Sequence, residues 1–364
     1  MCGIVHIVRS AGSALMPLVL AAVLPVAVLS CGKQDVERPK AMVSFVVVPG
    51  AVETKGAVSE AGEWAVHTLD LLIFRSGDGV LDTYVHAAVS SGEESLTSVR
   101  ASVTTGIPMT WWIVANAPEG LAMGSVGTLS SLEEKLTYLT DNSSSTMTMH
   151  ASGEETFDAG TNLIEDVGLI RYACKVTVEN ILVPYLGEFT TAPTCVLDEI
   201  ALVNVRGTCP MSGTPTAALS DLWYNRSTVD NLTGFLGNCL HWSGTVSIPD
   251  TQSHVVNRSF YAMPNASEGD AFGPVTAENP WTPRRTRIAV RLTIDGVPQW
   301  YPVDLPAMVG KTHYVVSNIV VMGPGAPGPD EPIDRELVSF DVKVTGWSES
   351  DRGTLPFSPF EEGN

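Results

Sequence analysis

The chain is 364 residues long, 44% hydrophobic, and carries a formal net charge of −19. That acidic balance excludes a nucleic-acid binder, which needs a basic face, and favours solubility in a crowded extracellular setting. Few lysines beside many Gly, Thr, Ser, Val and Pro give the composition of a secreted β protein, and the length suits two domains at about 100–200 residues each.

Residues 1–30 read as a secretory signal. Arg9 supplies a weakly basic start, and an apolar run over 15–29 is broken by Pro17 and Pro25. The run is short for a membrane span. It ends in Val28-Leu29-Ser30-Cys31 followed by Gly32, which matches the lipobox of bacterial lipoproteins. The Cys31 thiol is then the acylated new N-terminus, an anchor that holds a membrane without crossing it. An ordinary signal with a chance cysteine, or a transmembrane anchor, is the blander alternative. Past Cys31 no second stretch approaches membrane length, so the mature part is expected to be soluble and exported.

Residues 41–48 form the first strand. Val43, Phe45 and Val47 point one way, Ser44, Val46 and Val48 the other, and β-branched residues dominate. Pro49-Gly50 ends it. A polar loop follows over 51–63 without apolar period, with Lys55-Gly56 as an exposed basic site. Residues 64–74 are the next strand, 75–79 a hairpin turn with Asp78-Gly79, and 80–89 the return. Strands are expected at 98–103 and 110–116. Residues 129–139 give the one helix, with Ser130 or Ser131 as cap, Glu133 and Glu134 in the first turn, and Leu132, Leu136 and Leu139 on one face. The stretches 147–150 and 155–164 are ambiguous.

A second set of strands begins near Gly168: 169–182, 194–205, a hairpin of 287–294 and 299–303 across Asp295-Gly296, and 313–322. Residues 207–280 read as loop-rich. The run 323–330 is a Pro/Gly linker that stops any ladder, and 337–347 is a last strand whose alternation puts Val338, Phe340, Val342 and Val344 on one apolar face.

No catalytic constellation emerges. The chain has no Gly-x-Ser-x-Gly elbow, phosphate loop or dinucleotide fingerprint, and it is not read as an enzyme. Scattered carboxylates on an acidic surface are solvation. Cys174, Cys195, Cys209 and Cys239 show no C-x-x-C spacing, and no histidine stands at a zinc-ligand interval, so neither metal nor cofactor is expected. An oxidising compartment permits disulfides. Their pairing stays open, and Cys174, inside an apolar strand, fits equally a small core residue.

The order of these pieces resembles the fimbrillin family, the major fimbrial subunits of Bacteroidetes-type pili. The resemblance rests on the lipobox at Cys31, the strand 41–48, the loop with Lys55, the apolar strand Trp111-Trp112-Ile113-Val114-Ala115-Asn116, and the strand opening Leu169-Ile170-Arg171-Tyr172. At the C-terminal end it rests on Lys311-Thr312-His313-Tyr314, the linker from Gly323, and the strand to Trp347. It implies an all-β fold of two tandem transthyretin-like β-sandwich domains with one short helix in the first. The implied division is a signal over 1–30, a propeptide over 31–55, and domains over 56–168 and 169–364.

The resemblance further implies outer-membrane lipidation, removal of the placeholder strand by a trypsin-like protease between Lys55 and Gly56, and polymerisation. In polymerisation a strand from another fimbrial subunit, here 337–347 with its apolar face free beforehand, enters the vacated groove; a permanent core strand of its own domain is the alternative for 337–347. The family's best-known members have arginine at the processing site, so Lys55 points to a lysine-tolerant enzyme or to an uncut anchor or tip subunit. Arg38 is followed by Pro39 and is a poor tryptic site. A monomeric surface lipoprotein binding glycans through Trp223, Trp242, Trp281 and Trp300 is the reading from a different class.

Overall fold

The computed structural model describes residues 38–48, 61–91, 94–214, 218, 220–226, 240–269, 281–331, 333, 336–346 and 355–356. These lie in one compact unit, Arg38–Asn364. The signal segment, Cys31, Lys55, Gly56, Cys239 and Trp347 lie outside the described residues.

The first half supplies β1 (Lys40–Val48), β2 (Thr68–Arg75), β3 (Leu81–Ala88), β4 (Ser98–Thr104), β5 (Pro108–Ala115), the helix α1 (Leu129–Glu133), β6 (Leu136–Tyr138), β7 (Met149–Thr156), β8 (Thr161–Gly168) and β9 (Ile170–Arg171). They build a three-stranded sheet ordered β4-β1-β8 and a five-stranded sheet ordered β3-β2-β5-β7-β9. The two meet where Phe45 of β1 packs against Trp111 of β5, ring centroids 5.1 Å apart, and against Phe157 at 6.4 Å. Residues 69–74 of β2 are buried on both faces, which accounts for a continuous apolar run in place of alternation.

The second half supplies β10 (Cys174–Leu182), β11 (Cys195–Val203), β12 (Val205–Arg206), β13 (Thr208–Pro210), β14 (Trp223–Tyr224), β15 (His241–Ser247), β16 (Ser253–Ala262), β17 (Arg287–Ile294), β18 (Val297–Asp304), β19 (Thr312–Val321), β20 (Val338–Gly346) and β21 (Leu355–Pro356). One sheet runs β16-β10-β19-β20-β21 and another β15-β11-β17-β18. The β17–β18 hairpin turns at Asp295 and Gly296 with φ of 47° and 79°, the left-handed pair that the Asp-Gly signal predicts.

The all-β class with one short helix holds, and three local expectations change. The helix spans five residues, Leu129–Glu133. Its cap is Thr128, whose hydroxyl accepts from the Ser131 amide while the Ser131 hydroxyl accepts from the Thr128 amide, both at 3.2 Å. Helix gives way to strand after Lys135 because Leu136–Tyr138 pairs antiparallel with Thr208–Pro210. The loop-rich stretch 207–280 holds β13 to β16, of which β15 and β16 are sheet edges. Their outward side chains face water, Val255 being 74% exposed, so no apolar period marks them. The ambiguous 155–164 contains the end of β7 and the start of β8.

The expected polar loop does not extend to Glu63. Ala61–Trp64 is a 3₁₀ turn, and the Glu63 side chain is fully buried. Its Oε1 accepts from Lys175 Nζ of β10 at 2.6 Å and from Tyr261 OH of β16 at 2.5 Å. Arg171 Nη2 donates to the Glu63 carbonyl at 2.8 Å, and its guanidinium lies over the Trp64 ring. Burial lowers the Arg171 pKa to about 9, against the opposing pull of Glu63. The lead into β2 is therefore fastened to strands far along the chain.

Two predictions follow from this packing. Phe45→Ala removes a fully buried ring from β1 and should cost about 3–5 kcal/mol. Met42→Ala, on the half-exposed side of the same strand, should change stability by no more than about 0.5 kcal/mol. Urea unfolding of the intact chain checks both, and equal effects would show that the strand does not face the core as described. Lys175→Met leaves the Glu63 carboxylate buried without its cation and should destabilise by about 3–5 kcal/mol. Glu63→Gln combined with Lys175→Met should recover most of that loss. A single mutant with the wild-type midpoint would mean the pair holds nothing.

Candidate functional site

The site is the slot that β1 fills. On one side β1 runs antiparallel to β4, from Lys40 opposite Thr104 to Val46 opposite Ser98. On the other it runs parallel to β8, from Met42 opposite Thr161 to Val48 opposite Gly168, with a register shift between Phe45 and Val47. The ends are tied as well. The Thr105 amide donates to the Pro39 carbonyl at 3.0 Å, and the Val47 amide to the Thr97 carbonyl at 2.9 Å.

The sequence alternation is obeyed. Ala41, Val43, Phe45 and Val47 are buried, and Met42 and Val48 are exposed. Each fully buried Val or Phe side chain is worth about 1.5–3 kcal/mol. Among the described residues β4 and β8 have no strand partner in their sheet except β1. Withdrawing β1 therefore strips backbone donors and acceptors from two strands at once and opens an apolar floor between them.

The chain leaving β1 passes through residues outside the described set and is next seen in the Ala61–Trp64 turn. The Glu63–Lys175–Tyr261 cluster thus stands immediately downstream of the expected processing loop. Sequence reading missed it, because its partners are 112 and 198 residues away. The one local signal is a carboxylate beside a tryptophan in a stretch otherwise polar and small.

The expected donor face sits on its own sheet. β20 pairs antiparallel with β19 from Val338 opposite Val321 to Gly346 opposite Thr312. Val338 and Val342 are buried, Phe340 and Val344 are half-buried, and Ser339, Asp341 and Lys343 are exposed. The apolar face is covered by its own core, where the reading from resemblance has it free before assembly. Among the described residues β20 meets on its far side only the short β21, Lys343 opposite Pro356 and Val344 opposite Leu355.

The linker before it is not a loose tether. Ala326 and Trp300 exchange both backbone hydrogen bonds at 2.8 Å, so the linker adds a rung beside β18. The Gly325 amide donates to Gln299 Oε1 at 2.6 Å. A Cβ on Gly325 would lie 2.6 Å from the Trp300 carbonyl oxygen, so the approach requires glycine. The linker ends in Asp330, whose Oδ1 accepts from Arg287 Nη1 at 2.6 Å and Asn204 Nδ2 at 3.0 Å, while its Oδ2 accepts from Arg284 Nη1 at 3.3 Å. Burial works against the Arg287 charge, yet the Asp330 and Asp304 carboxylates outweigh it and hold its pKa above the ordinary value.

The remaining candidates are structural. Trp223, Trp281 and Trp300 are buried, Trp223 and Trp281 against each other at 5.2 Å, and Trp242 lies half-buried beneath Arg258. The buried rings offer no face to a sugar. Cys174, Cys195 and Cys209 are buried free thiols; burial raises Cys195 and Cys209 to about 11 and Cys174 further. A cavity of about 200 Å³ is lined in part by His150, Tyr172, Cys209 and Gly310. His150 is stacked between Trp112 and Tyr172, and burial pushes its pKa down to about 4, so its ring packs there as a neutral group. No group of His, Cys, Asp and Glu among the described residues is placed to hold a metal, and no described helix is long and apolar enough to cross a membrane.

Comparison with known proteins bears on the slot directly. The family model described as "Major fimbrial subunit protein (FimA)" matches residues 41–167, from the second residue of β1 to the next-to-last residue of β8. No curated protein matches the chain. Among solved structures, a candidate cell adhesion protein from Bacteroides eggerthii superposes with a TM-score of 0.62 at 18% identity, covering 85% of this chain and 97% of that one. A fimbrilin from Porphyromonas gingivalis gives 0.59 at 15%, covering 86% and 99%. One from Parabacteroides distasonis, also a candidate cell adhesion protein, gives 0.61 at 15%, covering 85% and 100%. At these identities the likeness is one of fold. The chain thus carries a major fimbrial subunit family segment over residues 41–167, within an all-β fimbrilin fold.

Proposed function

We propose that the chain is a structural subunit of a surface fimbrium that polymerises by strand exchange. It is exported as a lipoprotein through Cys31, held at the outer membrane, and processed between Lys55 and Gly56 by a trypsin-like protease. A strand of another fimbrial subunit then takes the place of β1. The observation that carries this reading is that, among the described residues, β1 alone joins β4 and β8, so its loss creates a two-sided acceptor. Such an acceptor takes affinity from main-chain hydrogen bonds and specificity from alternate side chains.

The proposed donor is the segment 337–347, with Val338, Phe340, Val342 and Val344 facing inward. Like β1 it alternates, is rich in valine and carries one phenylalanine. Its position next to the sheet edge, with the two residues of β21 beyond it among the described residues, suits a strand that departs. The proposed domain division falls after residue 168, between β8 and β9, with the β7–β9 pairing and the Glu63 cluster keeping the two parts joined once residues 31–55 are gone.

The test is processing. Brief trypsin treatment of the purified precursor should yield a product whose N-terminal sequence begins at Gly56 and which forms fibres visible by electron microscopy. Lys55→Gln should leave the precursor uncut there and monomeric. Early cuts confined to other basic sites, or fibres from the uncut Lys55→Gln protein, would contradict the proposal. A lipidated Cys31 retained on the surface-exposed form would instead support an uncleaved anchor or tip subunit.

A further inference from the structure

The proposed donor strand must leave its sheet, and the Pro/Gly composition of residues 323–330 suggests that the whole linker swings with it. The packing says otherwise. The linker is bonded to β18 by the reciprocal Trp300–Ala326 pair and by the Gly325 amide on Gln299, and Tyr301 OH donates to the Gly323 carbonyl at 3.2 Å. Its last residue, Asp330, has a side chain only 3% exposed and meets two arginines, one from the β17 strand itself and one three residues before it. Arg287 is held in turn by Asp304 at the end of β18, with Nε donating at 2.6 Å. The carboxylate's contacts thus belong to the four-stranded sheet and the segments flanking it, not to the sheet that β20 occupies. Nothing in this set of contacts is broken when β20 separates from β19.

Resting on the strand-exchange reading, we propose that Asp330, gripped by Arg287, Arg284 and Asn204, is a fixed post. It keeps residues 323–330 on the sheet of their own subunit while β20 departs as donor. The exchanging segment then begins after Asp330, and the buried carboxylate sets where along the chain it begins. A buried ion pair is costly to break once formed, because each partner is left as an uncompensated charge. A neutral, flexible linker would peel away progressively, whereas this one ends at a defined residue. The device fixes the reach of the donor and therefore the spacing between successive subunits.

Two engineered disulfides separate this inference from the reading beneath it, both made in a Cys239→Ser background of the full chain. Trp300→Cys with Ala326→Cys joins a hydrogen-bonded antiparallel pair, whose Cα separation of about 5.5 Å suits a disulfide, and locks the linker to β18. Asn318→Cys with Asp341→Cys, opposite one another in the β19–β20 ladder, locks β20 to its own sheet. After processing at Lys55, fibre formation is followed by light scattering and electron microscopy in oxidised and reduced samples. The expected result is that the linker-locked protein assembles at the wild-type rate when oxidised, and the β20-locked protein assembles only after reduction.

Assembly by both reduced proteins controls for folding, and a linker-locked protein that stalls even when reduced is replaced by Asp330→Ala. That variant should raise amide exchange at Ala326 by about tenfold or more, from loss of a buried charge-assisted network. If both locked proteins stall until reduced, or if Asp330→Ala leaves Ala326 exchange unchanged, the fixed post is overturned while the donor assignment stands. If the β20-locked protein assembles while oxidised, the donor assignment falls and the inference with it.

Discussion

The structure depends on a constraint of β-sheet chemistry: a strand's backbone donors and acceptors must be satisfied on both sides or face water. In the three-stranded sheet the ladder bonds of β4 and β8 run to β1, since the order β4-β1-β8 places it between them. The antiparallel ladder to β4 and the parallel ladder to β8 make β1 central although it is the first of the described strands. Its inward residues, Val43, Phe45 and Val47, complete the apolar floor against Trp111 and Phe157. A strand that is central in the sheet but terminal in sequence can be removed by one cut without severing the rest of the fold. That combination underlies the functional proposal, and the match of the fimbrial subunit family over residues 41–167 covers this unit.

Two buried charge clusters stand at the boundaries of the segments proposed to move. Glu63, with Lys175 and Tyr261, fastens the chain just after the processing loop. Asp330, with Arg287, Arg284 and Asn204, fastens it just before the last long strand. In each case the carboxylate is anchored to residues distant in sequence and outside the segments proposed to move. Hydrophobic contacts decline gradually along a peeling segment, but a desolvated ion pair is either made or broken. Placed at these positions, such pairs would give the proposed exchange sharp limits.

Much of the slot was legible from sequence. The alternation of Val43, Phe45 and Val47 identified β1 and its buried face, and Asp295-Gly296 fixed the β17–β18 hairpin through its left-handed φ values. The misses have a common cause in long-range partners. Residues 136–138 carry helical periodicity yet form β6, because β13 offers them a ladder. Glu63 looked like one more acidic loop residue, since Lys175 and Tyr261 lie far along the chain. Proline and glycine in 323–330 signalled a break in structure, and they do exclude a long strand. They could not signal that Gly325 permits contact with the Trp300 carbonyl or that Asp330 ends in a buried clamp. The edge strands β15 and β16 were hidden because their outer faces are solvated and carry no apolar stripe.

The central claim, that β1 holds a place later taken by another subunit's strand, is tested most directly by amide hydrogen exchange on Ser98–Thr104 and Thr161–Gly168. Three states are compared: the precursor, the processed monomer and the fibre. The account predicts amides of both strands protected in the precursor, exchanging rapidly after β1 is released, and protected again in the fibre. Amides that stay protected in the processed monomer, or that remain exposed in the fibre, would contradict it.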